Sequence, residues 1–159
     1  MLNYNQALPE QTLLQDLQMK EIKPIMKLVI RGKKREFISA IGKSLNIILP
    51  TEANTSTQSD KLTALWLSPD EWMIFSNEPV DENTNTYETE KLLNKSISKL
   101  NLGAIVDVTD QFVMINLKGN KIYELFQTGS PFNFNNFQNK KGAVIQTILT
   151  KIDVIVHNQ

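Results

Sequence analysis

The apolar positions of this chain follow two rhythms, one typical of strands and one typical of helices. Short apolar runs bounded by turn residues predict strands. In order, the predicted strands lie at residues 25–30, 46–50, 62–67, 71–75, 103–108 and 111–117, with two more in the final segment AVIQTILTKIDVIVH. Polar stretches without periodicity at 51–61 and 77–86 predict loops.

Apolar residues at helical spacing predict helices between these strands. The predicted helices are 9–19 (with Leu13, Leu14 and Leu17 on one face), 33–45 (Phe37, Ile38 and Ile41), 87–101 (Leu92, Leu93, Ile97 and Leu100) and 120–129, which ends at Gly129 in the C′ position. Strands that interleave with few helices and form close hairpins indicate an α+β fold with largely antiparallel sheet.

Two segments of the chain echo each other. IRGKKREFISAIG (30–42) aligns with LKGNKIYELFQTG (117–129), glycine on glycine near both ends, and a paired-strand segment follows each of them. The interpretation is two related halves, about 22–76 and 103–157, within a domain spanning 22–159. Residues 1–21 then form an N-terminal extension. The alternative is that strand–turn–helix units are common and that glycine simply marks their turns.

Charge and cysteine content narrow the classes of function. Seventeen Lys and Arg residues balance seventeen Asp and Glu residues, so no net field attracts nucleic acid or an anionic membrane. Near-neutral proteins tend to associate, which favours a chain that works in an assembly. The absence of cysteine excludes disulfides and thiolate chemistry. The polar start and the lack of an 18-residue apolar run predict a soluble, cytoplasmic protein with no membrane partner.

The stretch LWLSPDEWMIF holds both tryptophans, Trp66 and Trp72, and two adjacent carboxylates, Asp70 and Glu71. Neighbouring residues of a strand point to opposite faces, so these carboxylates cannot easily act on one atom as a paired acid and base. Pro69 followed by an aspartate is typical of a turn. The stretch therefore indicates a structural corner or a protein interface rather than a ligand site.

The other candidate groups are also more typical of structural roles than of catalysis or ligand binding. The basic cluster at 31–35 opposes the dipole of the helix that it precedes, which leaves open a partner with carboxylates. Asp107, Thr109 and Asp110 are typical of a turn between strands, although a carboxylate at a strand end can orient a ligand. His157 is the only histidine, so neither a triad nor a metal cluster is expected. No glycine-rich phosphate loop is present.

The order of these motifs resembles the gamma subunit family of heterotetrameric sarcosine oxidase. The most specific match is to Leu-Trp-Leu-Gly-Pro-Asp-Glu-Trp, which here carries serine in place of the glycine. The matching segments are Val29-Ile30-Arg31-Gly32, Ile48-Leu49-Pro50, Leu65-Trp66-Leu67-Ser68-Pro69-Asp70-Glu71-Trp72, Val106-Asp107-Val108-Thr109, Leu117-Lys118-Gly119, Gly129-Ser130-Pro131 and Gln146-Thr147. They run in order over about residues 22–157.

The resemblance implies a fold of two ferredoxin-like halves, like the folate-binding domain of the glycine cleavage T protein. It implies a non-catalytic small subunit that packs against an alpha subunit, with beta and delta subunits completing the complex. The complex would oxidise sarcosine to glycine and pass the one-carbon unit to tetrahydrofolate, with hydrogen peroxide as the other product. FAD, FMN, NAD and tetrahydrofolate would belong to the partner subunits, and no cofactor or metal to this chain.

On this hypothesis, the motif residues serve structure or an interface rather than catalysis. They are Arg31, Trp66, Pro69, Asp70, Glu71, Trp72 and Asp107. Two alternatives remain open. One is the small subunit of a related N-methyl amino acid dehydrogenase, such as one acting on N-methylglutamate. The other is a freestanding folate-binding, aminomethyltransferase-like protein.

Overall fold

The computed structural model describes residues 5–8, 12–14, 16–81 and 83–159, and within them the chain forms ten strands and three α-helices. The strands are β1 (Thr12–Leu14), β2 (Leu17–Ile22), β3 (Met26–Arg31), β4 (Ser56–Gln58), β5 (Thr63–Ser68), β6 (Glu71–Ser76), β7 (Ala104–Asp107), β8 (Met114–Lys118), β9 (Val144–Leu149) and β10 (Ile152–His157). The helices are α1 (Arg35–Leu45), α2 (Glu88–Ser96) and α3 (Ile122–Gly129). Short 3₁₀ helices lie at Ser98–Leu100, Thr109–Gln111 and Phe134–Asn136.

A five-stranded antiparallel sheet in the order β4-β5-β6-β3-β7 forms the centre of the molecule. Side chains along each strand alternate between the two faces of the sheet. One face places Leu28 and Ile30 of β3 and Ile74 of β6 in the main core. Helices α1 and α2 cover this face, with Phe37 and Leu93 fully buried against it. This apolar layer fixes the position of the turn between β5 and β6. We call this turn, with Trp66 and Trp72 on the strands that flank it, the tryptophan corner.

The opposite face of the central sheet meets the β9–β10 hairpin. Leu65 and Met73 from the sheet and Val144 from the hairpin form a second, smaller cluster. A third cluster, built on Phe126, Phe134 and Phe137, packs α3 against the same hairpin. The hairpin therefore lies between the central sheet and α3, and it is paired only with itself among the described residues.

The early and late parts of the chain exchange strands. β2 pairs with β8, and β7 pairs with β3, in both cases antiparallel. β2 and β7 begin 87 residues apart (17 to 104), as do α1 and α3 (35 to 122). The hairpins β5–β6 and β9–β10 begin 81 residues apart (63 to 144). The later copy differs in one respect: β8 and β10 do not pair among the described residues, whereas β3 and β6 pair over six residues.

The sequence-based prediction of a helix at 9–19 is wrong in the part that the structure describes. That part forms β1 and β2 of a hairpin, while residues 9–11 and 15 lie outside the described residues. Asp16 adopts a left-handed backbone with φ of 67°, which reverses the chain and is incompatible with a continuous helix. Pairing of β2 with β8, far along the sequence, overrides the local helical spacing.

Residues 46–61 also differ from prediction. No strand forms at 46–50, because Asn46 ends α1 with a left-handed φ of 51° and the following backbone has no strand partner among the described residues. Ile47 and Leu49 still enter the core from this extended segment. The loop predicted at 51–61 contains β4, whose polar side chains suit an edge strand.

Two helix predictions need correction. The helix at 87–101 is interrupted at Ile97, so α2 is followed by the short 3₁₀ helix, and Leu92 and Leu100 are exposed rather than buried. Gly129 is the last residue of α3 and does not adopt a positive φ, so it is not a left-handed C′ glycine. A Cβ there would lie 2.9 Å from Cδ1 of Leu149, so glycine lets the hairpin approach the helix closely.

None of the helices within the described ranges has the length and apolar content that a membrane span requires.

Candidate functional site

Trp72 forms the buried side of the tryptophan corner. Its side chain is only 1% exposed and stacks on Phe37, with ring centroids 6.0 Å apart. Its indole Nε1 donates a hydrogen bond of 2.7 Å to the carbonyl of Pro50. Trp66 is opposite Trp72 in the β5–β6 register and is half-buried against the same core. Both rings therefore serve packing.

Asp70 holds the turn at this corner together. It accepts hydrogen bonds from the Ser68 hydroxyl (3.0 Å) and from Nε of Arg31 (3.4 Å), and Lys33 lies 4.0 Å away. Its own backbone carbonyl accepts from the N–H of Gly32 at 2.9 Å. The Ser68 hydroxyl, followed by the Arg31 guanidinium, holds the pKa of the Asp70 carboxyl below its usual range. The basic cluster thus finds part of its counter-charge within the chain.

Glu71 is separated from Asp70 by the strand geometry. A register shift between Trp66 and Ser68 places a bulge just before the Pro69 turn, and Glu71 then begins β6. Glu71 lines an open groove, whereas Asp70 faces the basic residues on β3 and the turn after it. The two carboxylates therefore do not converge on a common reacting atom.

Asp107 belongs to a turn that surrounds a buried lysine. Its Oδ1 accepts from the N–H of Thr109 at 2.9 Å. The side chain of Lys27 is buried, and its Nζ donates to the carbonyls of Thr109 (3.1 Å) and Ile25 (3.2 Å). Burial lowers the pKa of Lys27, while the carboxylates of Asp110 and Asp107 oppose that shift. Asp107 thus holds the backbone of the turn at Thr109, whereas no sequence pattern indicates the burial of Lys27.

The structure brings together a serine and the single histidine, which lie 101 residues apart in the sequence. Nε2 of His157 is 2.9 Å from Oγ of Ser56, and that hydroxyl donates to the carbonyl of Gly142 at 2.8 Å. Because the hydroxyl has one proton, which goes to Gly142, Nε2 acts as the donor to Ser56. Nδ1 then accepts from the Gln159 amide at 3.4 Å. In this arrangement the histidine cannot take the serine proton, so the pair links β4 to β10.

A groove of about 870 Å³ lies between the central sheet and the β9–β10 hairpin. It is open to solvent. Its lining includes Val29, Met73 and Val106 of the sheet and Ile148 of β9. The amide of Gln146 reaches across and donates to the carbonyl of Leu67 at 2.6 Å, which ties the hairpin to the sheet.

No short sequence pattern indicates this groove, because its lining comes from strands distant in the sequence. No group of three acidic or histidine side chains suited to a metal ion occurs within the described part of the chain. The fold is α+β, and the groove is an open and mainly apolar surface.

Comparison with known proteins assigns the chain to a family. The sequence model of the family described as "Sarcosine oxidase, gamma subunit family" matches residues 31–159. The chain therefore belongs to the sarcosine oxidase gamma subunit family. This agrees with the resemblance inferred from the motifs.

The fold has a counterpart among solved structures. A chain of the heterotetrameric sarcosine oxidase from Corynebacterium sp. U-96, in complex with pyrrole 2-carboxylate, superposes with a TM-score of 0.75. The two chains are 17% identical, and the match covers 87% of this chain and 68% of the other. A comparison with curated protein sequences found no significant match. The α+β fold with mostly antiparallel sheets is confirmed.

Proposed function

We propose that this chain is the non-catalytic gamma subunit of a heterotetrameric sarcosine oxidase. The observation that carries the proposal is the family match over residues 31–159, which includes the tryptophan motif and every later motif. The complex oxidatively demethylates sarcosine to glycine and passes the one-carbon unit to tetrahydrofolate. The gamma chain contributes to assembly and stability.

In this proposal the chain packs against the alpha subunit, and beta and delta subunits complete the complex in the cytoplasm. FAD, FMN, NAD and tetrahydrofolate are bound by the partner subunits. Support comes from the roles of the polar groups in this chain. Asp70 and Asp107 stabilise turns, and His157 donates to Ser56 instead of accepting its proton. These groups are occupied by structural hydrogen bonds and are not poised for general base catalysis.

The proposal extends to the internal architecture. The two halves, about 22–76 and 103–157, are related ferredoxin-like units, as in the folate-binding domain of the glycine cleavage T protein. The repeated order of helix and hairpin supports this relation, with spacings of 87 residues for the helices (35 to 122) and 81 residues for the hairpins (63 to 144). The pairing of β7 with β3 joins the two halves, and β2, which ends where the first half begins, pairs with β8 of the second half.

Co-expression with the larger oxidase subunits tests the proposed function. A tag on this chain should recover the alpha, beta and delta subunits as a single species in native mass spectrometry. That species should oxidise sarcosine, and a parallel assay with N-methylglutamate distinguishes the related dehydrogenase. Recovery of this chain alone, with all partners expressed in soluble form, would contradict the proposal.

A further inference from the structure

The groove between the central sheet and the β9–β10 hairpin displays apolar side chains to solvent. Val106 is 49% exposed, Phe112 39% and Ile148 44%, and all three line this one groove. They lie on β7, on the segment before β8, and on β9. Exposed apolar side chains that gather in one concave surface mark a binding site more often than isolated ones do.

The ionisable residues that line the groove are both acidic. Glu71 enters it from β6 and Asp153 from β10. Neither forms a salt bridge with another described residue: the salt bridges found there involve Asp70 and Asp81. The groove therefore combines an apolar lining with two carboxylates that form no salt bridge among the described residues, which complements an apolar ligand that carries a positive charge.

The groove also continues onto an open sheet edge. β7 is the last strand of the order β4-β5-β6-β3-β7, and its outer edge has no strand partner among the described residues. Unpaired N–H and C=O groups along a strand edge are a template for another polypeptide. A small molecule uses such an edge poorly.

The shape of the groove favours the same kind of occupant. Sites for small molecules generally enclose most of the ligand surface. This groove is open to solvent rather than enclosed, so it suits a polypeptide segment laid in it. Apolar lining, acidic charge, a free strand edge and an open shape thus point to a polypeptide.

We propose that this groove is the docking site for an apolar segment of a larger oxidase subunit that carries lysine or arginine opposite Glu71 and Asp153. The inference rests on the proposed function and specifies which surface of the chain meets its partner. The segment packs on Val106, Phe112 and Ile148. Its cationic group lies between the two carboxylates.

Matched charge variants test the site in the co-expressed complex. Asp153→Lys and Ile148→Lys place a positive charge in the groove, where it repels the cationic segment. Asp60→Lys and Ile48→Lys make the same changes at exposed positions outside the groove. We expect about tenfold or greater weakening of subunit affinity for the groove variants and wild-type affinity for the controls. Unchanged melting temperatures of the four variants would show that folding is intact.

A photo-cross-linking residue at position 153 supplies an independent readout. The cross-linked peptide should come from a larger subunit and contain apolar residues together with lysine or arginine. Equal assembly of groove and control variants, or cross-linking from position 48 but not from 153, would overturn the inference while the proposed function stands. Failure of the wild-type chain to recover any subunit would refute the proposed function and the inference together.

Discussion

At the residue scale, Trp72 joins three segments that are separate in the sequence. It belongs to β6, stacks on Phe37 of α1 and donates to the carbonyl of Pro50. The sequence predicted a structural corner from the pair of tryptophans around a proline turn. It did not reveal the partner of the indole N–H, because a backbone carbonyl leaves no mark in the residue pattern.

Replacing Trp72 tests this anchoring role. Trp72→Ala should lower the free energy of unfolding by about 3–5 kcal/mol, because it removes a buried aromatic side chain and leaves a cavity. Trp72→Phe keeps an aromatic ring but leaves the Pro50 carbonyl without its donor, at a smaller cost of about 1–3 kcal/mol. Urea unfolding followed by circular dichroism measures both. Equal stability of Trp72→Ala and wild type would refute the role.

Gly103 is a second position, and close packing there requires glycine. A Cβ at this position would lie 2.3 Å from the Arg31 carbonyl oxygen and 2.6 Å from the Phe37 ring. Gly103→Ala should therefore force β3 and β7 apart and lower the melting temperature by several degrees. Gly42→Ala is the matched control, since its nearest contact is 3.4 Å and alanine favours its helix. A melting temperature for Gly103→Ala at or above that of Gly42→Ala would contradict this packing.

At the element scale, strands and helices with strong local patterns were predictable. The spacing of apolar residues predicted α1 and α3, and the paired runs around short turns predicted β5–β6 and β9–β10. Residues 12–14, 16–19 and 46–50 were mispredicted because distant contacts decide their conformation. β2 is a strand because β8 offers it a partner, and Ile47 and Leu49 reach the core without any strand pairing.

Burial of the single histidine, His157, makes the stability of the fold sensitive to pH. Burial lowers the pKa of His157 below its ordinary value of 6.5, so the folded state disfavours the charged ring. The stabilisation is complete above pH 6.5 and is lost as the pH falls towards the lower pKa of the folded state. Unfolding free energy should therefore decrease from pH 7.5 to pH 5.

Two variants isolate this effect, since the chain has a single histidine. His157→Gln should flatten the decrease between pH 6.5 and 5, whereas Ser56→Ala should retain it because the ring stays buried. Denaturant unfolding at several pH values provides the measurement. An unaltered slope in His157→Gln would assign the pH dependence to other groups.

The loop before α2 should make the stability of the fold depend on pH in a second, more acidic range. The hydrogen bond from Lys91, followed by one from the backbone of Asn83, lowers the pKa of Asp81 from 3.8 to about 2. A carboxylate with a lowered pKa stabilises the fold above pH 3.8, and that contribution disappears as the pH falls through about 2. Asp81→Asn should reduce the loss of stability in this range, as followed by acid unfolding. An identical acid transition in wild type and Asp81→Asn would contradict the assignment.

At the scale of the whole molecule, the sequence predicted the α+β class and the family more readily than the candidate surface. The motif residues are local, and Trp72, Asp70 and Asp107 have structural roles that turn chemistry and burial anticipate. The groove depends on strands from both ends of the chain, so no short pattern indicates it. Its apolar residues look like ordinary strand residues until the fold shows that the described residues leave several of them partly exposed.

The distribution of charge and of exposed apolar residues favours association of the chain with other proteins. A balanced charge gives little mutual repulsion, and exposed apolar residues such as Val106 and Ile148 favour contact with a partner. The core under α1 and α2 is closed, whereas the surface beside the β9–β10 hairpin is open. The groove beside the hairpin is the surface that the further inference assigns to the assembly.

The most direct test is sarcosine-dependent formation of hydrogen peroxide across size fractions of the co-expressed subunits. The account predicts activity in the fractions that hold this chain together with the larger subunits, and none in the fraction of the free 18.1 kDa chain. Peroxide formation by the free chain, or an active complex that never contains it, would contradict the claim that it serves as a non-catalytic subunit.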